Sequence, residues 1–248
     1  MNREEILNQL KRYNLDSKKI IIIGSAALVL KGIKENTHDI DIAVTKEYND
    51  YLLEHFKCKF EKEINEYKVY YIDDIINFNT HYYNDFKGEW IEGYLVQTPS
   101  EVLKLKRKLN REKDQKDIEL ILKYLNNLNM NSLALAYLGD ATYELYIRKY
   151  LTKKGNYKVK DLQTMAVDYV SAKAQSKFLD KMTQNNFLKD EELEIVKRAR
   201  NHKVLSHPKN TSIIVYKKAT GLEALLGFLE LNNNKQRINE IMKYIVGD

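Results

Sequence analysis

Cysteine, proline, glycine and tryptophan are all scarce in this chain of 248 residues, which has one Cys, two Pro, nine Gly and one Trp. The lone Cys58 excludes an intramolecular disulfide framework and suits a reducing compartment. Long apolar runs are missing too. The longest, Ile20 to Leu30, is interrupted by Gly24-Ser25 and is too short to cross a bilayer. The amino terminus, MNREEILNQLKRY, is charged throughout and has no apolar centre of the signal-peptide kind. The expectation is a soluble, cytoplasmic protein without membrane contact. What is present is a normal supply of core residues: 44% of the chain is hydrophobic, enough for one or two folded domains.

The charge is informative only once divided. The whole chain carries 41 Lys+Arg against 35 Asp+Glu, net +6, and a Lys-, Asn-, Ile- and Tyr-rich composition can follow from an AT-rich genome alone. Residues 1–130, however, hold 21 basic and 22 acidic side chains, while 131–248 hold 20 and 13. Genome bias acts on both halves alike, so the excess belongs to the second half. A polyanionic partner is expected there.

Hydrophobic periodicity separates the same two halves. The first reads as α/β: a helix over Glu4–Tyr13, a buried strand at Lys19–Ile23, then a helix over Ala26–Lys31 opened by Gly24-Ser25. Strands follow at Asp39–Val44, Tyr67–Ile72 and Ile91–Val96, and Thr98-Pro99-Ser100-Glu101 starts a helix over Val102–Leu109. Asn126 to Asn131 has no periodicity and marks the boundary, giving domains 1–127 and 128–248. Beyond it the pattern is helical: Ser132–Lys153, Lys160–Asn185, Asp190–Lys203, Ser212–Leu231 and Lys235–Val246, with Gly155 and Pro208 in two of the turns.

Two acids in the second half interrupt apolar helical stretches. Asp140 follows Leu133-Ala134-Leu135-Ala136-Tyr137-Leu138-Gly139, and Glu223 lies within Gly221-Leu222-Glu223-Ala224-Leu225-Leu226-Gly227-Phe228. A carboxylate in such a setting is costly unless it is paired or binds a cation. The small neighbours Gly139, Ala141, Ala224 and Gly227 would let two helices approach closely. Each acid alone could instead cap a turn or pair with a nearby Lys.

The stretch LALAYLGDATYELYIR (Leu133–Arg148) resembles the signature helix of the ribonuclease III endonucleases, and LEALLGFLEL (Leu222–Leu231) resembles their second acidic helix. YVSAKAQ (Tyr169–Gln175), VKRARN (Val196–Asn201) and PKNT (Pro208–Thr211) extend the similarity in order, nearest to the Mini-ribonuclease III branch, which lacks a double-stranded-RNA-binding domain. The resemblance implies an all-α ribonuclease III-type domain with Asp140 and Glu223 as catalytic Mg²⁺ ligands. It also implies a homodimer with the signature helix at the two-fold axis and Tyr137 and Leu138 in the interface. Full-length relatives carry further acids where this chain has Ala136 and Thr220. Glu144, one turn after Asp140, either assists the metal through water or pairs with Arg148.

Double-stranded RNA is held chiefly through phosphates and 2′-hydroxyls, which basic and amide side chains suit. The candidates are Arg198, Arg200, Asn201, Lys203, Lys209 and Asn210, with Lys173 and Gln175 in second rank. Lys203 could equally serve the dipole at a helix end. His202 and His207, with one remote Cys, do not make a zinc site.

In the first half, Gly24-Ser25 at a strand-to-helix turn offers backbone N–H groups to a phosphate. Asp39 and Asp41, two apart on a strand, could hold Mg²⁺ on a nucleoside triphosphate. Ile20–Val44 resembles the glycine-serine and paired-aspartate motif of the minimal nucleotidyltransferase superfamily, and Leu103–Ile121 resembles the helical segment that follows that core in some members. A third carboxylate is expected on a later strand. Asn77 takes that position in the favoured alignment, and Asp73 or Asp74 in a shifted one. With Asn77 there, a degenerate or purely binding domain is expected.

The combined expectation is a Mg²⁺-dependent endoribonuclease acting on structured double-stranded RNA such as a ribosomal RNA precursor, with an appended nucleotidyltransferase-like domain. A non-cleaving RNA-binding protein and a nucleotidyltransferase are the competing readings.

Overall fold

The computed structural model describes residues 1–64, 67–80, 87–155, 157–203 and 210–247, and the chain divides into two compact units, Met1–Leu125 and Asn126–Asp248. The division falls inside a helix rather than in a linker.

In the first unit the isoleucine run forms β1 (Ile20–Ile22), buried on both faces, as suits a central strand of a covered sheet. Around it lie α1 (Arg3–Arg12), α2 (Gly24–Leu30), β2 (Ile40–Val44), α3 (Lys46–His55), β3 (Cys58–Ile64), β4 (Tyr67–Ile72), β5 (Ile76–Asn79), β6 (Gly88–Ile91) and β7 (Tyr94–Gln97). The strands make one mixed sheet in the order β3-β4-β5-β2-β1-β7-β6. β1 is antiparallel to β2 and parallel to β7, and β2 is parallel to β5, with Asp41 opposite Asn77. The unit ends in α4 (Pro99–Leu109) and α5 (Gln115–Leu128). Thr98 caps α4, with Pro99 at its start, and Asn110 closes it in the left-handed conformation at φ 46°.

One expectation is corrected in the first unit. The expected strand Ile91–Val96 is a hairpin, β6 and β7, joined at Glu92-Gly93, whose φ values of 51° and 82° make the turn. α3 and β3 are further elements for which no expectation was stated.

The second unit is all-helical: α6 (Ser132–Lys154), α7 (Val159–Val170), α8 (Ala172–Gln184), α9 (Asp190–Arg200), α10 (Ile213–Leu231) and α11 (Lys235–Val246). The single helix expected over Lys160–Asn185 is broken at Ser171, whose extended backbone ends α7 and whose hydroxyl caps α8 by accepting from the Ala174 N–H. α10 is the axis of the bundle: Ala219–Leu222 and Ala224–Leu229 are buried, with α6, α8, α9 and α11 packed against it. Arg237 of α11 binds Glu192 of α9 through Nε at 2.8 Å and Nη2 at 2.9 Å, and also donates to the Phe187 carbonyl at 2.8 Å. Among the described residues no helix is long and apolar enough to cross a membrane.

Candidate functional site

The contact between α6 and α10 runs backbone to backbone. A Cβ on Gly139 would lie 1.7 Å from the Glu223 carbonyl oxygen, and one on Gly227 would lie 1.9 Å from the Leu135 carbonyl oxygen. Only glycine permits that approach. It sets Asp140, next in sequence to Gly139, beside Glu223.

The two carboxylates differ in setting. Glu223 is half-buried, and its pKa is pushed up to about 7, first by burial and then by the charge of Asp140. Asp140 stands on the solvent side of α6, yet its surroundings desolvate it enough to raise its pKa, with Glu144 adding to the effect. Among the described residues neither acid has a cationic partner. Glu144 pairs with Arg148 one turn on. Tyr143, fully buried beside Glu223, donates its hydroxyl to the Tyr169 carbonyl at 3.1 Å. Ala136 is buried, and the Thr220 hydroxyl is used within α10, donating to the Tyr216 carbonyl at 3.1 Å.

Gln175 enters from α8. It is 1% exposed, and its amide lies near enough to Glu223 to draw that pKa back down. Even so, neither Oε1 nor Nε2 completes a hydrogen bond with good geometry. Two unneutralised carboxylates and an unpaired buried amide are all oxygen or amide donors, which fits a hard divalent cation and not zinc. Among the described residues no three His, Cys, Asp or Glu side chains converge on one point.

The basic candidates are spread more widely. Arg200 and Lys203 are exposed, as are Asn201 at the end of α9 and Asn210. Arg198 is half-buried and turned inward: its Nη1 donates to the Leu128 carbonyl, and its Nε and Nη2 are buried without partners. It thus ties α9 to the end of α5 within the second unit. Lys209 lies outside the described residues.

The amino-terminal candidates do converge. Gly24 begins α2 at φ 62°, and a Cβ there would be 3.1 Å from Asp41 Oδ2, so the turn lies directly against that carboxylate. The Gly24 N–H donates to Gln97 Oε1 at 3.1 Å, while the Nε2 of this fully buried residue is unpartnered. Ser25 Oγ donates to Asp117 at 2.9 Å and accepts from Lys34 at 3.3 Å. Asp117 also binds Lys34 at 2.8 Å and Lys106 at 2.9 Å, and Lys106 reaches Asp114 at 2.7 Å. Burial alone would raise the pKa of Asp117, but hydrogen bonds from Lys34, Lys106 and Ser25 hold it below the usual range. Asp41 moves the opposite way, to about 7, because of burial and then the charge of Asp39.

Register decides the third position. Asn77 pairs with Asp41 across β2 and β5 and is buried. Asp73 and Asp74 sit in the β4–β5 turn, where Asp73 accepts from the Tyr13 hydroxyl at 2.9 Å and Asp74 pairs with Lys59 at 3.6 Å. An acid does reach this neighbourhood, from an unforeseen strand. Glu61 lies at the bulge of β3, between Phe60 and Lys62, and accepts from Asn77 Nδ2 at 3.4 Å. Tyr71 adds a hydrogen bond to Asp39 Oδ2 at 3.1 Å. Nothing in the Lys/Glu alternation of β3 distinguishes Glu61 from a solvated side chain; it sits at the bulge and is also held by Lys62 Nζ at 2.8 Å.

Comparison with known proteins places two family models on the chain, overlapping over residues 133–157. A model of the ribonuclease III domain matches residues 133–234, and one described as a nucleotidyltransferase of unknown function (DUF6036) matches residues 2–157, more than half of the chain. Mini-ribonuclease 3 of Enterococcus faecalis is 44% identical over 117 residues, covering 47% of this chain and 89% of that protein. Mini-ribonuclease 3 of Staphylococcus aureus is 38% identical over 117 residues, covering 47% of this chain and 87% of that protein. A crystal structure of a Fusobacterium nucleatum protein is 36% identical, covers 48% of this chain and 93% of its own, and superposes with a TM-score of 0.43. The chain therefore belongs to the DUF6036 nucleotidyltransferase family through its amino-terminal part and to the Mini-ribonuclease 3 family through its carboxyl-terminal half.

Proposed function

We propose that the carboxyl-terminal unit is a Mg²⁺-dependent endoribonuclease that cuts structured double-stranded RNA, with ribosomal RNA precursors as its substrate class. The observation that carries this reading is the glycine-mediated crossing of α6 and α10, which gathers Asp140 and Glu223 with no cation to neutralise them. Asp140 and Glu223 would hold the cation, which supplies an activated water and charge neutralisation at the leaving oxygen. Burial and the neighbouring negative charge make the ionised form of Glu223 costly without a cation, which supports its reading as a cation ligand. Asp140, on the solvent side, is open to an approaching phosphate. Arg200, Asn201, Lys203 and Asn210, together with Lys209, supply phosphate and 2′-hydroxyl contacts without reading sequence.

A homodimer is supported by the uncovered flank of α6. Leu133, Tyr137 and Leu145 are exposed there, Tyr137 at 86%, and Val159, Val167, Ile213 and Ile214 add further exposed apolar surface on α7 and α10. Two active centres related by a two-fold axis would cut both strands.

The deciding experiment incubates the purified protein with long double-stranded RNA and Mg²⁺. Fragments with 5′-phosphate and 3′-hydroxyl ends, lost in Asp140→Asn, are the expected result. Retardation without fragments would instead establish a non-cleaving RNA-binding protein.

One observation favours a second activity. Asp41 lies against the glycine-serine turn, the charges of Asp39 and Glu61 both act on it, and Glu61 accepts from Asn77, so the amino-terminal unit has an acid near the position where β5 carries Asn77. On this reading the unit binds a nucleoside triphosphate at Gly24, Ser25, Asp39 and Asp41 and transfers a nucleotide. Transfer of label from a triphosphate to RNA, protein or a small molecule, lost in Asp41→Asn and reduced in Glu61→Gln, is the test.

A further inference from the structure

Gln175 is a buried polar group beside the Asp140–Glu223 pair whose side chain completes no well-formed hydrogen bond among the described residues. Its backbone role is ordinary, an N–H donated to the Ser171 carbonyl at 2.9 Å in the first turn of α8. Its side chain is not ordinary. Buried amides are almost always paired, and this one can donate twice and accept twice. At 1% exposure it does neither with good geometry. α8 packs against α10, and the charged group within reach of the amide is the Glu223 carboxylate.

The surrounding groups are committed elsewhere. Glu144 is held by Arg148, the Tyr143 hydroxyl by the Tyr169 carbonyl, and the Thr220 hydroxyl by its own helix. Ala136 has no polar side-chain atom. A further acid at Gln175 would intensify the repulsion that already burdens Glu223. A neutral amide adds a donor and an acceptor without adding charge.

We propose that Gln175 is a positioning residue of the cation site: its Nε2 donates to Glu223, fixing the carboxylate beside Asp140, and its Oε1 accepts from a water in the site. The inference rests on the reading of Asp140 and Glu223 as the residues that hold the cation. It explains why an unpaired amide is kept in a helical core where an apolar residue of similar size would pack as well.

The test uses the full chain in an Asp41→Asn background, so that the amino-terminal carboxylates do not obscure the measurement. Mn²⁺ alone, without RNA, is titrated by electron paramagnetic resonance, and thermal midpoints are recorded alongside. Gln175→Leu should raise the Mn²⁺ dissociation constant about tenfold while leaving the thermal midpoint unchanged or higher. Cleavage of double-stranded RNA should then need about tenfold more Mg²⁺ and recover when the cation saturates. Gln175→Met, closer in length, provides the same reading if leucine is not accommodated. Unchanged Mn²⁺ affinity in the folded variants, with affinity lost in Asp140→Asn, overturns the role of Gln175 alone. Mn²⁺ binding that is absent, or indifferent to Asp140→Asn, overturns the cation-site reading and this inference with it.

Discussion

Gly139 and Glu223 touch through their backbones so closely that a single added methyl group at Gly139 would come within 1.7 Å of the Glu223 carbonyl oxygen. The spacing of α6 and α10 beside Asp140 and Glu223 is thus set by the absence of a side chain. Gly139→Ala or Gly227→Ala must push α6 away from α10, because neither collision is with a flexible side-chain end. The expected cost is ~3 kcal/mol or more, the upper end for overpacking. Gly247→Ala is the control: it has φ 80° and nothing within 4 Å, so only left-handed strain applies, at about 1 kcal/mol. Urea denaturation of the second unit's transition should separate these magnitudes. Cleavage should fall with the first two variants and not with the third.

Glu223 links stability to pH with a sign opposite to that of a salt-bridged acid. Its folded pKa is raised from 4.5 to about 7, so the folded state holds the proton more tightly than the unfolded chain. Stability contributed by the protonated form is complete below the unfolded value and is lost as pH rises through the folded one. The ionised carboxylate therefore destabilises the unit above neutrality by roughly 3 kcal/mol. Glu223→Gln should raise the thermal midpoint at pH 8 and lose that advantage below about pH 5. Added Mg²⁺ should narrow the gap from the wild-type side, since a bound cation neutralises the same charge.

Much of the candidate site was legible because its signals are local. An acid inside an apolar helical run, flanked by glycine, is visible in a linear sequence, and both Asp140 and Glu223 announce themselves that way. The exposure of Asp140 was not legible, because apolar and polar residues of α6 do not segregate to opposite faces and only the fold shows which flank lies uncovered. Arg198 lies within a run of basic residues like any phosphate contact, yet its Nη1 holds the Leu128 carbonyl, a partner 70 positions away. Glu61 depends on a β-bulge that re-aims one residue of an edge strand, and a bulge leaves no periodic trace. Ser171 is the contrary case: a cap residue in the middle of a helical pattern marked the break between α7 and α8, and periodicity alone passed over it.

The uncovered flank of α6 makes a separate prediction about assembly. Tyr137 is 86% exposed, with Leu133 and Leu145 one to two turns away on the same side. If two copies meet there, Tyr137→Asp buries an unpaired charge in each half of the interface, whereas it costs an isolated subunit almost nothing. Light scattering coupled to size-exclusion chromatography should show a dimer for wild type and a monomer for Tyr137→Asp, with the thermal midpoint at low concentration nearly unchanged. A wild-type monomer at micromolar concentration would remove the basis for double-strand cutting by paired centres.

Asp41 offers the corresponding handle on the amino-terminal unit. Its pKa is raised to about 7 by burial, then by Asp39, against the opposing pull of Lys106 and Arg111. A cation carried on a triphosphate can bind only the ionised form, so binding below neutrality must expel one proton. Affinity for Mg²⁺·ATP should therefore weaken by ~10-fold for each pH unit below about 7 and level off above it. Calorimetry at pH 6 in two buffers of different ionisation enthalpy should count close to one proton released. Asp39→Asn removes the second largest cause of the shift, so in that variant the pH dependence should move to lower pH even as overall affinity drops. A pH-independent affinity would show that the triphosphate is held at the Gly24-Ser25 turn without Asp41, leaving the paired aspartates outside the binding step.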